Sequence, residues 1–394
     1  MTAQELPDQT DVVVVGGGIM GASTTYFLAT ETDRDVVLVE RDQIASGSTG
    51  DSSAILRHHY GAKEIYPRMA RWSHEFYREF EQEVGEKIAY DRAPMVRFAT
   101  EANSADVTAG QEILAELDIP VSRYEADELP EQYPMIETDR FDFAVSDDDA
   151  GYSDATDAAG GFVRAAQRNG ASVITGVTVE DIETDAGRVA GVETDSGPIQ
   201  CDRVVVTAGP WTARFMEQFG VEIPLTTTRE QILLLDPPAT FREEYAERIP
   251  TSGPAGGWYI RPDFGDGVLI ATHHTDEEIN PDHYSDKPDE EMILHLLEEL
   301  EEFIPGLTAS EIKGQYCGVY STTPDHDFVI DQLGPDGCYV GCGFSGHGFK
   351  HGPIVGRILT DLVTTGETEL VDRTYFSLDR FAEHPDGNAR PSQN

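Results

Sequence analysis

DVVVVGGGIMGASTTYFLA, Asp11 to Ala29, is followed almost at once by DVVLVE, Asp35 to Glu40. The apolar β-branched run Val12–Val15 ends at glycine and reads as a buried strand. Gly16, Gly18 and Gly21 then fall in G-x-G-x-x-G spacing, and an apolar helix-like segment carries the chain to about Ala29. The first glycine makes the tight turn, the second lets backbone approach a pyrophosphate, and the third lets helix and strand pack closely. The anion sits on the helix N-terminus, where free N–H groups and the helix dipole favour it. Glu40, at the end of the second strand, is placed to accept from ribose hydroxyls, which predicts an unphosphorylated ribose. Strand, loop, helix, strand and acid in that order predict a dinucleotide-binding α/β unit, with FAD and NAD both open.

Beyond this unit, SGSTGDSSA (46–54) is a small-residue loop suited to close approach by a ligand. Residues 63–84 carry Met69, Trp72, Phe76, Phe80 and Val84 at helical spacing, which reads as a core-facing helix. Residues 92–145 mix short strands with a helix near 105–117, and 149–183 read as a capped helix followed by a strand. Val204 to Thr207 is a buried strand entering a Gly-Pro turn. Residues 224–236 and 256–274 are strand-like, 289–303 an acidic amphipathic helix, and 338–344 a further strand. Pro353, favourable at a first helical position, opens an apolar helix that stops by Gly366. The length of 394 residues suits two domains. The pattern predicts a nucleotide-binding domain in three pieces, 1–90, 148–219 and 329–394. Residues 91–147 and 220–328 are then a second domain, and ligands favour such junctions.

The formal charge is −45, from 73 acidic residues against 28 Lys plus Arg, of which only five are Lys. The acids are spread along the chain, so they describe a solvated surface rather than an interaction tail. This is the compositional habit of halophilic proteins, in which salt screens self-repulsion. It predicts a salt-rich cytoplasm and argues against nucleic acid and anionic membrane surfaces as partners. No apolar run approaches transmembrane length, and the first ten residues are polar, unlike a signal peptide. Cys201, Cys317, Cys338 and Cys342 show neither a disulfide framework nor a zinc spacing, so no metal is expected.

VVVVGGGIMGAS, DAGYSDA, VVTAGPWT, STTPDHDFVID and GFSGHGFKHGP, in this order, resemble the D-amino-acid-oxidase superfamily of FAD enzymes. The resemblance is strongest to the monomeric sarcosine oxidases and the sarcosine oxidase beta subunit, and covers nearly the whole chain. It implies FAD rather than NAD, in a Rossmann-like domain of the glutathione-reductase type. That α/β domain is interrupted by an α+β substrate domain whose mixed or antiparallel sheet lies over the flavin ring. The resemblance further implies that Arg57, in RHHYG, and Lys350 bind a substrate carboxylate. It places His347 near the flavin, and His273 and Tyr320 beside the reacting amine. The expected cofactor contacts are Gly16, Gly18, Ile19, Met20, Gly21, Glu40, Arg41, Ser48, Thr49, Val179, Ala208, Gly209, Trp211, Gly343, Gly346, His347, Gly348 and Lys350.

Three positions depart from the family pattern. A second Arg, expected three residues before Arg57, is Ala54, and Arg261 in GWYIRPD is a candidate replacement. The Cys that carries covalent flavin in monomeric sarcosine oxidases is Gly318, with Cys317 one residue earlier. In a strand that shift turns the side chain to the opposite face, so non-covalent FAD is expected. The Lys those enzymes use for oxygen is Leu269, which favours a dehydrogenase over an oxidase.

Oxidising a C–N bond this way needs cations for the carboxylate, a neutral amine, and donors for negative charge growing on the flavin. Arg57 and Lys350 offer the first. His273 or His347 can take the amine proton, and backbone N–H groups around Gly346–Gly348 can donate. The expected reaction is oxidation of a small secondary or N-methyl amino acid, of sarcosine, dimethylglycine or proline type, to an imine. A 2-hydroxy acid or D-amino acid dehydrogenase, one subunit of a hetero-oligomeric sarcosine or proline dehydrogenase, and an RNA-modifying flavoprotein are alternatives, the last disfavoured by charge. The electron acceptor and oligomeric state stay open. The charge makes one prediction directly: the protein melts at a higher temperature in about 1 M KCl than in about 0.1 M, and greater stability in low salt would refute the halophilic reading.

Overall fold

The computed structural model describes residues 6–253 and 257–382. A six-stranded sheet runs, in order, Val329–Gln332, Cys338–Cys342, Arg203–Val206, Val12–Val15, Val36–Glu40, Ser172–Thr175. Its pairings are parallel except for the edge strand Val329–Gln332. The quoted VVVV run occupies the middle. Val12 and Val14 join one apolar cluster, and Val13 and Val15 the other. Side chains alternate along a strand, so a strand covered on both faces must be apolar at every position.

Helices Ile19–Glu31, Ala155–Arg168 and Gly352–Thr365 cover one face, packed on one another. The first has an unbroken buried run from Ile19 to Leu28, which explains why it carries no polar stripe. Small residues let the helices approach: a Cβ at Gly356 would lie 2.4 Å from Ser23 Oγ, whose hydroxyl donates to Gly352 O at 2.8 Å. A three-stranded antiparallel sheet, Val179–Asp185, Arg188–Thr194 and Ile199–Gln200, covers the other face through Ile182, Val192 and Ile199.

The second large sheet has eight strands in the order Glu311–Thr322, Thr226–Asp236, Gly267–Thr272, Trp258–Asp263, Thr251–Ser252, Met95–Ala99, Phe143–Asp147, Val121–Glu125. Only Thr251–Ser252 with Met95–Ala99 is parallel. Val96, Phe98, Leu233, Ile260 and Ile270 pack on Leu296, Leu300 and Phe303 of helix Glu290–Phe303. By alternation, Arg97, Tyr259, Arg261, Leu269 and Ala271 point from the opposite face. All eight strands come from residues 95–147 and 226–322, whereas the six-stranded sheet takes its strands from the rest.

Two details differ from the sequence expectation. The helix over 63–84 breaks at Glu79 (φ −99°, ψ 15°) into Ile65–Arg78 and Phe80–Val84. A small sheet of Ile55–Leu56, Gly151–Ser153 and Tyr90–Arg92 also forms, from strands too short to show periodicity. It fixes the start of the Arg57 segment. Just beyond it, Asp147 accepts from the His58 backbone N–H at 2.6 Å and lies 3.1 Å from His58 Nδ1. His58 Nε2 meets His74 Nδ1 at 3.1 Å, and His74 Nε2 meets the Tyr90 hydroxyl at 2.9 Å.

Burial, aided by the His58 and Arg78 charges, pulls His74 down to about 3. Burial and Arg97 pull His59 down to about 4. Both imidazoles stay neutral in the fold below pH 6.5, where the unfolded chain takes up protons, so their contribution is complete above about 6.5 and is lost as pH falls toward 4. Urea unfolding at pH 7.5, 5.5 and 4.5 checks this: stability falls across that window, and His74→Asn reduces the slope by about 1.4 kcal/mol per pH unit.

Candidate active site

A cavity of about 660 Å³ opens beyond the C-terminal ends of the parallel strands, where open α/β sheets bind ligands. Of the expected cofactor residues, Gly16, Gly18, Ile19, Met20, Glu40, Arg41, Ser48, Thr49, Val179, Ala208, Gly209, Trp211, Gly343, Gly346 and Gly348 line it. Gly21 lies behind the wall, where an added Cβ would sit 1.9 Å from Gly16 O. Gly16 has φ +103°, and its Cβ would sit 2.6 Å from Thr207 O, so this turn needs glycine. Glu40 accepts from the Gly17 N–H at 2.6 Å and the Asp42 N–H at 2.8 Å, leaving lone pairs for a ribose. Ser48 Oγ and Ser321 Oγ, both on cavity-lining residues, are buried without a partner among the described residues. A glycine cradle, an acid at the second strand end and spare hydroxyls fit FAD.

GFSGHGFK closes the far end. Gly346, at φ +74°, lies so near the Tyr320 ring that a Cβ would come within 2.2 Å of it. His347 Nε2 lies 3.1 Å from His326 O and must donate to it, which leaves Nδ1 as an acceptor. Nδ1 is 3.2 Å from the Tyr60 hydroxyl, which donates there. That hydroxyl is also 2.9 Å from His351 Nε2, which must then be the protonated nitrogen. His351 Nδ1 is correspondingly bare and partnerless among the described residues. The sequence assigned His351 no role, yet the structure ties both histidines to one tyrosine.

Arg57 lies over the Tyr60 ring, 4.0 Å from its centroid, and donates to His59 O. Lys350 is buried, with Nζ 3.4 Å from His347 O. Neither has a carboxylate within ion-pair distance among the described residues. Burial first, then Arg57, holds Lys350 well below its usual range. Burial and Lys350 hold His347 far down, and burial, His274 and Arg57 do the same to His273. Both imidazoles are therefore neutral and weak bases, fit to pass a proton but not to keep it. Tyr320 Oη stands 3.5 Å from His273 Nδ1. Arg57, Lys350, His347, His273 and Tyr320 are thus neighbours, but of the five only Tyr320 lines the cavity, so His347 and Lys350, expected as flavin contacts, are not among its lining residues.

Arg261 does not join them. It donates to Asp263 at 2.9 Å and to Pro262 O at 2.6 Å, and lies over the Tyr152 ring. The residue that sequence reasoning missed is Arg97, whose charge acts on His59 and His273. Its signal was present: MVRFA places one arginine mid-strand among buried apolar residues. Asp51 and Tyr259 also line the cavity unannounced, and burial lifts Asp51 to about 6. His58, His74 and Asp149 could reach one point, but Arg78 takes both Asp149 oxygens at 2.9 Å and the imidazoles bond each other.

The chain matches the family model of FAD-dependent oxidoreductases over residues 11–362. It is 30% identical to the monomeric sarcosine oxidase of a Bacillus species, covering 94% of this chain and 96% of that one. It is 27% identical to the peroxisomal sarcosine oxidase of Homo sapiens, covering 97% and 98%. Its fold is similar to that of L-proline dehydrogenase from P. horikoshii (TM-score 0.86, 24% identity, 96% and 99% covered). It is also similar to that of glycine oxidase from Geobacillus kaustophilus (TM-score 0.82, 22% identity, 94% and 99% covered). The protein is a flavin-dependent oxidoreductase by fold and site. It belongs to the FAD-dependent oxidoreductase family that also contains these sarcosine oxidases.

Strand Glu311–Thr322 bears on how the flavin is held. Gly318 and Tyr320 line the cavity, and Cys317, paired with Gln231, points from the other face. The register shift in this strand pair lies at Leu234–Leu235, away from Cys317, so no bulge turns the thiol around. Burial pushes that thiol up to about 11, which leaves it a poor nucleophile. Acid precipitation checks the consequence: wild type and Cys317→Ser release FAD to the supernatant equally, and yellow precipitate from wild type alone would contradict it.

Proposed function

We propose that the protein oxidises the C–N bond of a small secondary or N-methyl amino acid to an imine, with non-covalent FAD as the immediate acceptor. One observation carries this: half-buried Arg57 and buried Lys350 have no carboxylate within ion-pair distance among the described residues, and Lys350 belongs to the glycine loop that closes the cofactor cavity. The likeness to enzymes named for sarcosine supports the amine. Leu269, where those enzymes carry a lysine used for oxygen, supports a dehydrogenase passing electrons to a separate acceptor.

When bound, FAD supplies a hydride acceptor, and the protein orients and tunes. In this reading Arg57 and Lys350 hold the carboxylate, the first as a planar fork and the second as a point charge. Their field, in a dry site, disfavours an ammonium, so the amine loses its proton on binding. His273 relays that proton outward, because its own burial prevents it from keeping the charge. Tyr320 and His347 form the walls that fix the substrate. Of the loop's backbone donors, the His347 N–H is taken by Phe344 O at 2.9 Å, which leaves those of the cavity-lining Gly346 and Gly348 to suit growing negative charge. The imine then hydrolyses in water.

We further assign residues 1–90, 148–219 and 329–394 to the FAD domain, and 91–147 and 220–328 to the substrate domain. The separate strand membership of the two large sheets supports that division. The charge of −45 supports a salt-rich cytoplasm as the setting and argues against nucleic acid. No helix among the described residues is long and apolar enough to cross a membrane.

Anaerobic bleaching of the flavin by a panel of secondary amino acids, primary amino acids and 2-hydroxy acids tests the reaction. Secondary amino acids bleach it, and bleaching by hydroxy acids alone would overturn the reading. Lys350→Met raises KM by at least about tenfold, since half of a buried charge pair is removed, while FAD stays bound. Unchanged kinetics would remove Lys350 from the site.

A further inference from the structure

Arg97 is a third cation that the proposed reaction does not need. It sits at the centre of Met95–Ala99, with Val96 and Phe98 buried in the core beneath helix Glu290–Phe303. Alternation therefore turns Arg97 to the face that also carries Tyr259 and Arg261. Arg261, on the same face, is paired with Asp263. Arg97 is half-buried, and among the described residues its side chain makes neither a hydrogen bond nor an ion pair. The charges that act on it are Arg57, which repels it, and Asp106, which stands beyond ion-pair distance and meets the Ala62 N–H at 3.4 Å. In a chain with 73 acidic residues, three neighbouring cations without a contacting carboxylate are not short of acids to pair with. Their anions then come with the ligand, because like charges gathered without a counter-ion repel one another.

We propose that Arg97 holds a second carboxylate, so that the substrate is a secondary amino acid with two acidic groups. One carboxylate lies on Arg57 and Lys350, and the other on Arg97. This rests on the amine-oxidation reading for the reacting bond but not for the anion site itself. A single carboxylate among three cations would leave two positive charges in excess, whereas two leave one. The amine between them must be neutral in either case, and a dianion offsets the like-charge repulsion among the side chains more completely.

The holoenzyme is titrated with two carboxylates that cannot be oxidised as amines, thiodiacetate (two acidic groups) and (methylthio)acetate (one), read by the shift of the flavin spectrum. In parallel, anaerobic flavin reduction is measured with N-carboxymethylglycine and N-methylaspartate against sarcosine. The dicarboxylates act at concentrations lower by about tenfold or more. Arg97→Met brings the two-to-one carboxylate preference close to unity, and Arg97→Lys keeps part of it. Equal affinity for one and two carboxylates in wild type, or a preference that survives Arg97→Met, overturns the proposal. If Arg97→Met loses its flavin, the wild-type ratio and Arg97→Lys decide. Dicarboxylate binding without reduction by any amine would sink the reaction and leave the anion site standing. Reduction by amines without a dicarboxylate preference would do the reverse.

Discussion

Positive charge gathered in one place, with no carboxylate in ion-pair contact among the described residues, is the constraint on which the rest of this molecule turns. Arg57, Lys350 and Arg97 arrive from three separate parts of the chain: the segment leaving the small sheet, the glycine loop and the centre of a strand in the eight-stranded sheet. No one of them is costly to expose alone. Bringing them together is unfavourable unless something anionic joins them, and the chain, at −45 overall, has no shortage of acids for that. Their isolation is the observation on which the proposed anion site rests.

The two large sheets divide the labour. The parallel sheet must present a tight glycine turn and a helix N-terminus at its strand ends, and that demand sets its buried valine runs and close helix packing. The mixed sheet presents side chains rather than backbone, so its cavity face carries Tyr259, Gly318 and Tyr320 while its other face is a plain apolar core. The loop from Gly343 to Gly348 joins them, and its glycines are needed for approach: at Gly346 a side chain would collide with Tyr320. The same concentration of cations and burial keeps five nearby imidazoles, His59, His273, His274, His347 and His351, below their ordinary range. In the proposed function, a positive site of this kind favours anions and disfavours an ammonium together.

Much of this was legible in the residues. The central strand, the glycine turn and Glu40 were readable because each has a local requirement that only certain residue types meet. Arg57, Lys350 and His347 were readable through motifs. Arg97 was visible only as a lone arginine in MVRFA; its meaning depends on which face of a strand is covered, and the strand order that decides this is set by pairings far apart in sequence. His351 was passed over for a similar reason: its partner, Tyr60, lies 291 positions away. Arg261 looked like the spare cation, but its own neighbour Asp263 neutralises it, a contact that a strand end makes across one intervening residue. The face of Cys317 followed from period-two alternation and needed only an unbulged register.

A crystal structure of the FAD-loaded protein with (methylthio)acetate tests the central claim most directly. The account predicts the carboxylate within hydrogen-bond distance of both the Arg57 guanidinium and Lys350 Nζ, beside the flavin ring. A carboxylate bound elsewhere, or Arg57 and Lys350 found paired with acids of the protein, would contradict it.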